Sequence, residues 1–183
     1  MDEITAVKAC QAGDDTAFSI LISRYYRNIY RYAYQCIGNH QDADDICQET
    51  FLRAFDNIKT LKDGKRFKGW IFKIASNLSR KRIKSMKFEK NMVTATTVDS
   101  LPQCSGNKDM QPFESLSGRE KVTVIQEELR RMPEHMRMAT IMVLIEGLTQ
   151  KETAEILNRS ESTISRDIDI GKERLRQRLQ KLI

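Results

Sequence analysis

The stretch FKGWIFKIASNLSRKRIKSMK, residues 67–87, combines the only tryptophan of the chain with seven basic residues. At helical spacing its apolar side chains share one side, whereas Lys73, Asn77, Arg80 and Lys84 share the other, with Trp70 at the edge. Lysine and arginine neutralise phosphates, and an aromatic ring can stack on an unpaired base for about 1–3 kcal/mol. This pattern favours a nucleic-acid surface. The alternative is a solvated basic helix with Trp70 in the core.

Positive charge is concentrated around this stretch. The 183-residue chain has a net charge of +6, yet residues 59–90 contain twelve lysines and arginines against two acidic residues. That segment therefore carries +10 and the remainder of the chain carries −4. Such a local excess of basic residues indicates a polyanionic partner more strongly than the net charge does.

The preceding stretch, QDADDICQETFLRAF, predicts an amphipathic helix with an acidic outer face. Its inward positions are predicted to be Ala43, Ile46, Cys47, Thr50, Ala54 and Phe55. Asp45, Gln48, Glu49 and Leu52 then face outward, where nucleic acid would be repelled. An acidic face with an exposed leucine indicates a protein-docking site, and a solvated helix is the alternative.

Catalytic and metal-binding patterns are not recognisable. The four cysteines form no CxxC pair, and the two histidines are far apart, so we expect no metal and no cofactor. Asp42, Asp44 and Asp45 could bind Mg²⁺ in a nuclease, but helical spacing points Asp42 and Asp44 in different directions. Without a nucleophile and base pair or a Gly-rich phosphate loop, the chain is not expected to be an enzyme.

The apolar periodicity predicts an all-α fold of two small helical domains joined by a flexible linker. Residues 1–90 form the first domain, with helices at about 3–11, 14–37, 41–56 and 66–86. Residues 91–118 are rich in Ser, Thr, Asn, Gly and Pro and are predicted to be the linker. Residues 119–183 form the second domain, in which Pro133 separates two helices.

Neither a membrane span nor a signal peptide is predicted. No apolar run approaches the roughly 18 residues that a membrane span needs, so no membrane insertion is expected. The N-terminal stretch MDEITAVKACQAGDD is acidic and lacks the basic and apolar regions of a signal peptide. The expected location is cytoplasmic.

The stretch GLTQKETAEILNRSESTISRDIDIGKERLRQRLQ predicts a helix-turn-helix. Thr149 and Glu152 form a capping box, Ser160 can cap the next helix, and Ala154 is small where two helices must cross. The predicted shared core consists of Leu157, Ile164 and Ile168. The opposite face of the last helix, which would meet a DNA major groove, carries Ser162, Arg166, Asp169 and Glu173. A solvated helix of mixed charge is the alternative.

These motifs together resemble one known family. DADDICQETFLRAF, FKGWIFKIASNLSRKRIK and MPEHMRMATIMVLIEGLTQKETAEILNRSESTISRDI occur in the order found in extracytoplasmic-function (ECF) sigma factors of bacterial RNA polymerase. The resemblance covers both predicted domains. It implies sigma region 2 at 1–90, region 4 at 119–183, and a protein that recruits core polymerase to promoters.

The resemblance also implies roles for particular residues. Docking on the clamp helices of core polymerase would use Asp45, Gln48, Glu49 and Leu52. Minus-ten recognition and melting would use the loop at about 57–66 together with Lys62, Trp70, Lys73, Asn77, Arg80, Lys81 and Lys84. Minus-thirty-five recognition would use Ser162, Thr163, Ser165, Arg166 and Asp169. The implied partners are core polymerase (clamp helices and flap), promoter DNA and an anti-sigma factor, and the free protein is expected to be a monomer.

Two departures from the family pattern limit what can be transferred. Asp167 and Asp169 occupy positions that are often basic or neutral, and they could bond DNA-facing arginines, accept from cytosine or contact an inhibitor. The stretch VLIEG lacks an arginine that often precedes the helix-turn-helix. The competing function is a dimeric helix-turn-helix repressor that binds duplex operators without polymerase.

Overall fold

The computed structural model describes residues 1–96 and 116–180. Within those ranges the backbone forms eight α-helices and no strand, as the apolar periodicity predicts. The helices are α1 (Glu3–Gln11), α2 (Phe18–Ile37), α3 (His40–Asn57), α4 (Phe67–Thr96), α5 (Leu116–Arg131), α6 (Glu134–Thr140), α7 (Gln150–Leu157) and α8 (Glu161–Gln180). None of the helices in the described part of the chain is both long and apolar enough to cross a bilayer.

Helix α2 is central to the N-terminal group of helices. Its inward stripe is buried as predicted, with Leu21, Ile29 and Tyr32 fully enclosed between α1, α3 and α4. Gly38 ends the helix at φ 82°, in the left-handed region that favours glycine. Asn39 then caps α3, because its side-chain oxygen accepts a hydrogen bond from a backbone N–H of the first turn. One short turn thus reverses the chain between two packed helices.

Helix α4 closes this group by packing across α2 and α3. Phe67, Ile71, Phe72 and Ala75 are completely buried on its inner side. The ring of Phe72 meets that of Tyr32 edge-on, with centroids 5.5 Å apart. The apolar side of α4 is therefore the base of the N-terminal core, and the polar side remains free for other contacts.

Helices α5 to α8 form the C-terminal group, which ends in the predicted helix-turn-helix. The capping box is present: the Glu152 N–H donates to Thr149 Oγ1 at 3.1 Å, and the Thr149 N–H donates to Glu152 Oε2 at 2.8 Å. Asn158, at φ 54°, turns the chain between α7 and α8. Ile164 and Ile168 of α8 are fully buried, as predicted for the shared core.

A close crossing of α6 and α8 stabilises the C-terminal group. Pro133 precedes α6 as predicted, and α6 continues into a π-helical segment, Ile141–Ile145. At that junction Thr140 lies directly against Gly171 of α8, where an added Cβ would be 2.3 Å from Thr140 Oγ1. Only a residue without a side chain fits at this crossing.

The two groups of helices pack against each other. Helix α4 contacts α7, and α2 contacts α5 and α6. The buried apolar residues form a cluster that runs through both groups. The Arg130 side chain of α5 lies over Gly38, where an added Cβ would be 2.8 Å from its Nε. The predicted domains are therefore in direct contact in this structure.

Two details differ from the sequence prediction. Phe55 is 40% exposed and not inward, while Phe51, one turn earlier, is 6% exposed and fills the core. Phe55 lies at the edge of the stripe, with its ring edge-on to Phe18 at 5.2 Å. Helix α4 also continues to Thr96, since no proline or glycine interrupts NMVTAT, and α5 begins at Leu116. The rest of the predicted linker lies outside the described residues.

The tight crossing at Gly171 predicts a large effect of one methyl group. Gly171→Ala should lower the free energy of unfolding by about 1–3 kcal/mol, because the new Cβ overlaps Thr140. Gly69→Ala, in α4, is the matched control: its Cβ would meet nothing within 4 Å, so it should be neutral or stabilising by about 1 kcal/mol. Urea unfolding followed by circular dichroism measures both, and equal midpoints would contradict the predicted overlap.

Candidate functional site

The outward face of α3 is acidic and carries an exposed leucine. Asp45 and Gln48 are exposed, Glu49 is half-buried, and Leu52 is 61% exposed. The Glu49 carboxylate accepts a hydrogen bond from Arg53 Nε of the same helix at 2.7 Å. An exposed leucine between acidic groups suits protein contact better than phosphate contact.

The three aspartates near the start of α3 point in different directions. Asp42 accepts from Arg82 Nε at 2.7 Å, which joins α3 to α4, and this hydrogen bond raises the pKa of the arginine. Asp44 accepts from the Tyr26 hydroxyl at 3.5 Å, while Asp45 is exposed. Among the residues that the structure describes, no three His, Cys, Asp or Glu side chains form a group able to hold a metal ion. The three aspartates therefore do not converge on one point, as a metal-dependent nuclease would require.

The basic face of α4 and the turn before it are largely open. Its exposed members are Lys62, Lys73, Asn77, Lys81 and Lys84. Trp70 and Arg80 are half-buried. The indole ring of Trp70 is tilted against Phe67, with centroids 5.9 Å apart, so one side of the ring supports the core and the rest reaches the surface. Cations and a partly exposed aromatic ring therefore occupy one continuous helix, a combination suited to single-stranded and duplex DNA.

The outer face of α8 carries the predicted duplex-reading residues. Ser162, Arg166 and Asp169 are exposed, and Thr163 and Ser165 are half-buried. The first turn is ordered by Ser160, whose hydroxyl oxygen accepts from the Thr163 N–H at 3.2 Å. The exposed side chains lie at the N-terminal part of the second helix of a helix-turn-helix, the part that enters a major groove.

Comparison with protein families and curated proteins identifies the family of the chain. Residues 21–88 match the family Sigma-70 region 2, and residues 123–181 match Sigma-70, region 4. The chain is 30% identical over 179 residues to the ECF RNA polymerase sigma factor SigW of Bacillus subtilis, covering 96% of each protein. This chain belongs to the ECF sigma factors of RNA polymerase. It is also 30% identical to BldN of Streptomyces coelicolor, over 86% of this chain and 58% of BldN.

Solved structures show the same fold. One is CnrH in complex with the cytosolic domain of CnrY, with a TM-score of 0.70, 20% identity, and coverage of 98% of this chain and 97% of that one. Another is RpoE in complex with the anti-sigma factor NepR from Bartonella quintana, with a TM-score of 0.69, 19% identity, and coverage of 89% and 96%. In this sigma factor, then, α3 and α4 belong to region 2, and α7 and α8 belong to region 4.

One acidic residue of the region 4 helix does not face outward. Asp167, which by its position in the sequence could contact DNA or an inhibitor, is 3% exposed on the inner side of α8. Its carboxylate lies 3.8 Å from His135 Nε2. Asp169, two positions further, is exposed. The burial of Asp167 excludes direct contact with DNA in this arrangement, whereas Asp169 remains accessible.

Lys81 and its neighbour Arg82 lie on the side of α4 that borders α3. Lys81 lines a shallow groove between α3 and α4 that also contains Asp45 and Glu49. Trp70 and Lys73 instead line a cleft between region 2 and region 4. The predicted minus-ten set therefore divides between two surfaces, and Lys81 adjoins the face predicted to dock on polymerase.

The sequence analysis missed the most buried carboxylate at the contact between the two regions. Glu146, in the stretch VLIEG, has a side chain with 0% exposure. Arg31 of α2 donates to both of its oxygens, from Nε at 2.7 Å and from Nη2 at 2.9 Å, and Asn28 Nδ2 donates at 2.8 Å. The hydrogen bonds that Arg31 donates to the Glu146 carboxylate raise the pKa of Arg31. Arg31 and Glu146 are 115 positions apart, so the sequence does not show that they pair. The one local signal is that an acidic residue, Glu146, ends an apolar run.

Basic residues of region 2 also contact region 4. Lys68 Nζ donates to the backbone carbonyl of Glu146 at 2.7 Å, and Arg80 Nη2 donates to that of Leu157 at 3.4 Å. Arg66 forms an ion pair with Glu155 of α7. The cleft that Trp70 lines is bounded on its other side by α7. In this structure region 4 therefore covers part of the surface predicted to read the minus-ten element.

The cysteines do not form a reactive or metal-binding site in the described structure. Cys10, Cys36 and Cys47 are buried free thiols. Burial raises the pKa of the Cys36 and Cys47 thiols to about 12, so both are protonated at neutral pH and are poor metal ligands. Cys104 lies outside the described residues.

The exposure of Arg166 predicts a base-specific role. Arg166→Ala in the holoenzyme should relax selectivity at one base pair of the upstream element, at a cost of about 1–3 kcal/mol. Arg159→Ala removes an equal charge from the exposed turn before α8. We expect this variant to weaken binding to all DNA sequences by a similar factor. Binding-site selection with each variant measures the difference. A uniform loss for Arg166→Ala would make it a phosphate contact.

Proposed function

We propose that this sigma factor directs promoter-specific initiation by carrying core RNA polymerase to paired minus-ten and minus-thirty-five elements. The observation that supports this most directly is the arrangement of region 2. An acidic face with an exposed leucine on α3 adjoins a basic face with a half-buried tryptophan on α4. Two neighbouring helices thus offer one surface for a protein and one for DNA, while region 4 offers a second DNA surface.

Polymerase binding is assigned to Asp45, Gln48, Glu49 and Leu52, which would meet the clamp helices. Minus-ten recognition and capture of the melted strand are assigned to Trp70 and the basic residues of α4. Minus-thirty-five recognition is assigned to the outer face of α8, with Arg166 as the principal base-reading residue. Region 4 would also contact the flap of core polymerase.

The protein is proposed to act in the cytoplasm as a dissociable subunit without catalytic activity, and to be a monomer when free. Members of its family are DNA-binding regulators and not enzymes. An anti-sigma partner is proposed because RpoE, which shares this fold, was solved with the anti-sigma factor NepR.

The deciding experiment is in vitro transcription from a genomic-fragment library with core polymerase, with and without this protein. Transcripts that depend on the protein and share two upstream elements would establish the proposed function. Firm binding to duplex operators by the protein alone, with no new transcripts, would favour the repressor instead.

The docking face predicts a clear charge-reversal effect. Asp45→Arg with Glu49→Arg should abolish binding to core polymerase and leave the helix content unchanged, since both carboxylates lie at the surface. The control is Asp15→Arg, which reverses an exposed acid outside this face. Native gel shift of core polymerase measures binding. If the double variant binds like the wild type, α3 does not carry the docking site.

The partly exposed ring of Trp70 is expected to act in open-complex formation and not in closed-complex binding. Trp70→Ala should impair open-complex formation more than closed-complex binding, because stacking contributes about 1–3 kcal/mol only when a base is unpaired. Trp70→Phe keeps a ring against Phe67 and should retain part of the activity. Permanganate footprinting reports melting and gel shift reports binding. Equal losses in both assays would assign Trp70 a structural role.

A further inference from the structure

Beside the apolar cluster that runs through both regions, the polar contacts between region 2 and region 4 pair basic groups of region 2 with acceptors of region 4. Among the described residues, three ion pairs cross it, namely Arg31 with Glu146, Arg66 with Glu155, and Lys87 with Glu134. In each pair region 2 supplies the base and region 4 the acid. The carboxylates of region 4 therefore occupy positions where phosphates would be attracted.

The Arg31–Glu146 pair differs from the other two in its burial. Glu146 has 0% side-chain exposure and three hydrogen bonds from Arg31 and Asn28. The acid of the Arg66 pair is 48% exposed, and that of the Lys87 pair is 29% exposed. Exposed pairs contribute little, whereas a buried carboxylate deprived of its partner is strongly unfavourable. Of these three ion pairs, that of Glu146 is therefore the one whose loss most disfavours the closed arrangement.

The closed arrangement is incompatible with reading both promoter elements at once. The elements lie about 25 base pairs apart, which at about 3.4 Å per base pair is about 85 Å along the DNA. In this structure Arg80 of the minus-ten helix is 3.4 Å from the backbone oxygen of Leu157 in α7, the first helix of the helix-turn-helix. The two regions must separate before each can reach its own element.

We propose that Glu146 is the latch of a closed state of the free protein, in which region 4 covers the nucleic-acid surface around Trp70. This inference rests on the proposed function, because it assigns that surface to the minus-ten element. The state disfavours DNA binding before polymerase engagement, since the apparent affinity falls in proportion to the fraction of molecules that are open. Core polymerase would then select the open state by holding the two regions apart.

The position of Trp70 makes the closed state measurable without polymerase. Trp70 is the only tryptophan of the chain, and it lines the cleft whose opposite wall is α7. Separation of α7 from α4 would widen this cleft and make the indole more accessible to water and to a quencher. Acrylamide quenching of the full-length protein therefore reports opening, and small-angle scattering reports the accompanying increase in radius of gyration.

The test variant is Glu146→Gln, which keeps the shape of the side chain and removes its charge. Loss of a charge-assisted hydrogen bond network should shift the open-to-closed ratio by about tenfold or more. We expect greater acrylamide quenching, a larger radius of gyration, and about tenfold tighter binding of a short fluorescein-labelled oligothymidine. Arg31→Ala, which removes the partner from the other region, should produce the same changes, and the double variant should add little to either.

Glu128→Gln is the matched control within region 4. The Glu128 carboxylate is 9% exposed and pairs with Arg174, which is 34% exposed, close to the values of 0% and 39% for Glu146 and Arg31. Both partners belong to region 4, on α5 and α8. Loss of the Glu128–Arg174 ion pair should lower the thermal stability of the protein and leave the acrylamide quenching of Trp70 unchanged. This control separates opening of the latch from general loosening.

The outcomes distinguish this inference from the proposed function. Unchanged quenching and scattering in both Glu146→Gln and Arg31→Ala would overturn the latch. Opening without tighter oligothymidine binding would overturn the claim that region 4 covers a nucleic-acid surface. Transcription with saturating core polymerase is a separate readout: it should be equal for wild type and Glu146→Gln, and its absence in both would refute the proposed function while the quenching result still decides the latch.

Discussion

The burial of one side of α4 against α2 and α3 is the interaction on which the candidate surfaces depend. Phe67, Ile71, Phe72 and Ala75 are fully buried there, and this burial determines the rotation of the helix about its axis. Once that rotation is set, the polar positions at three- and four-residue spacing must face away from the core. The same packing orients α3, so that the acidic face of one helix adjoins the basic face of the other.

Charge distribution then determines which neighbours each surface accepts. Region 2 carries the basic excess of the chain, and region 4 offers carboxylates and helix-end carbonyls to it in this structure. The ion pairs of Arg66 and Lys87 lie near the surface and are therefore weak and sensitive to salt. Glu146 is the exception, because a carboxylate removed from water requires the hydrogen bonds that Arg31 and Asn28 provide. Among the described ion pairs between the two regions, the Arg31–Glu146 pair is the one whose carboxylate is fully buried.

The helix-turn-helix shows a similar division between its two sides. Gly171 permits the close approach of α8 to α6, and Ile164 and Ile168 fill the space between the helices. This packing orients α8 so that Arg166 and Asp169 are exposed. The side chain of Asp167 falls on the inner side of the same helix, next to His135. Asp167 and Asp169 thus have different environments, because two steps of about 100° each place their side chains on nearly opposite sides of the helix.

The sequence by itself determined the all-α class, the approximate limits of α1, α2 and α3, the capping box at Thr149 and the exposed faces of α3, α4 and α8. These features are local, since helical periodicity and capping depend on residues within a few positions of one another. Tertiary packing decided which of Phe51 and Phe55 enters the core, which groove Lys81 borders, and the burial of Asp167. It alone brought Glu146 to Arg31, because no local pattern encodes a contact between side chains 115 positions apart.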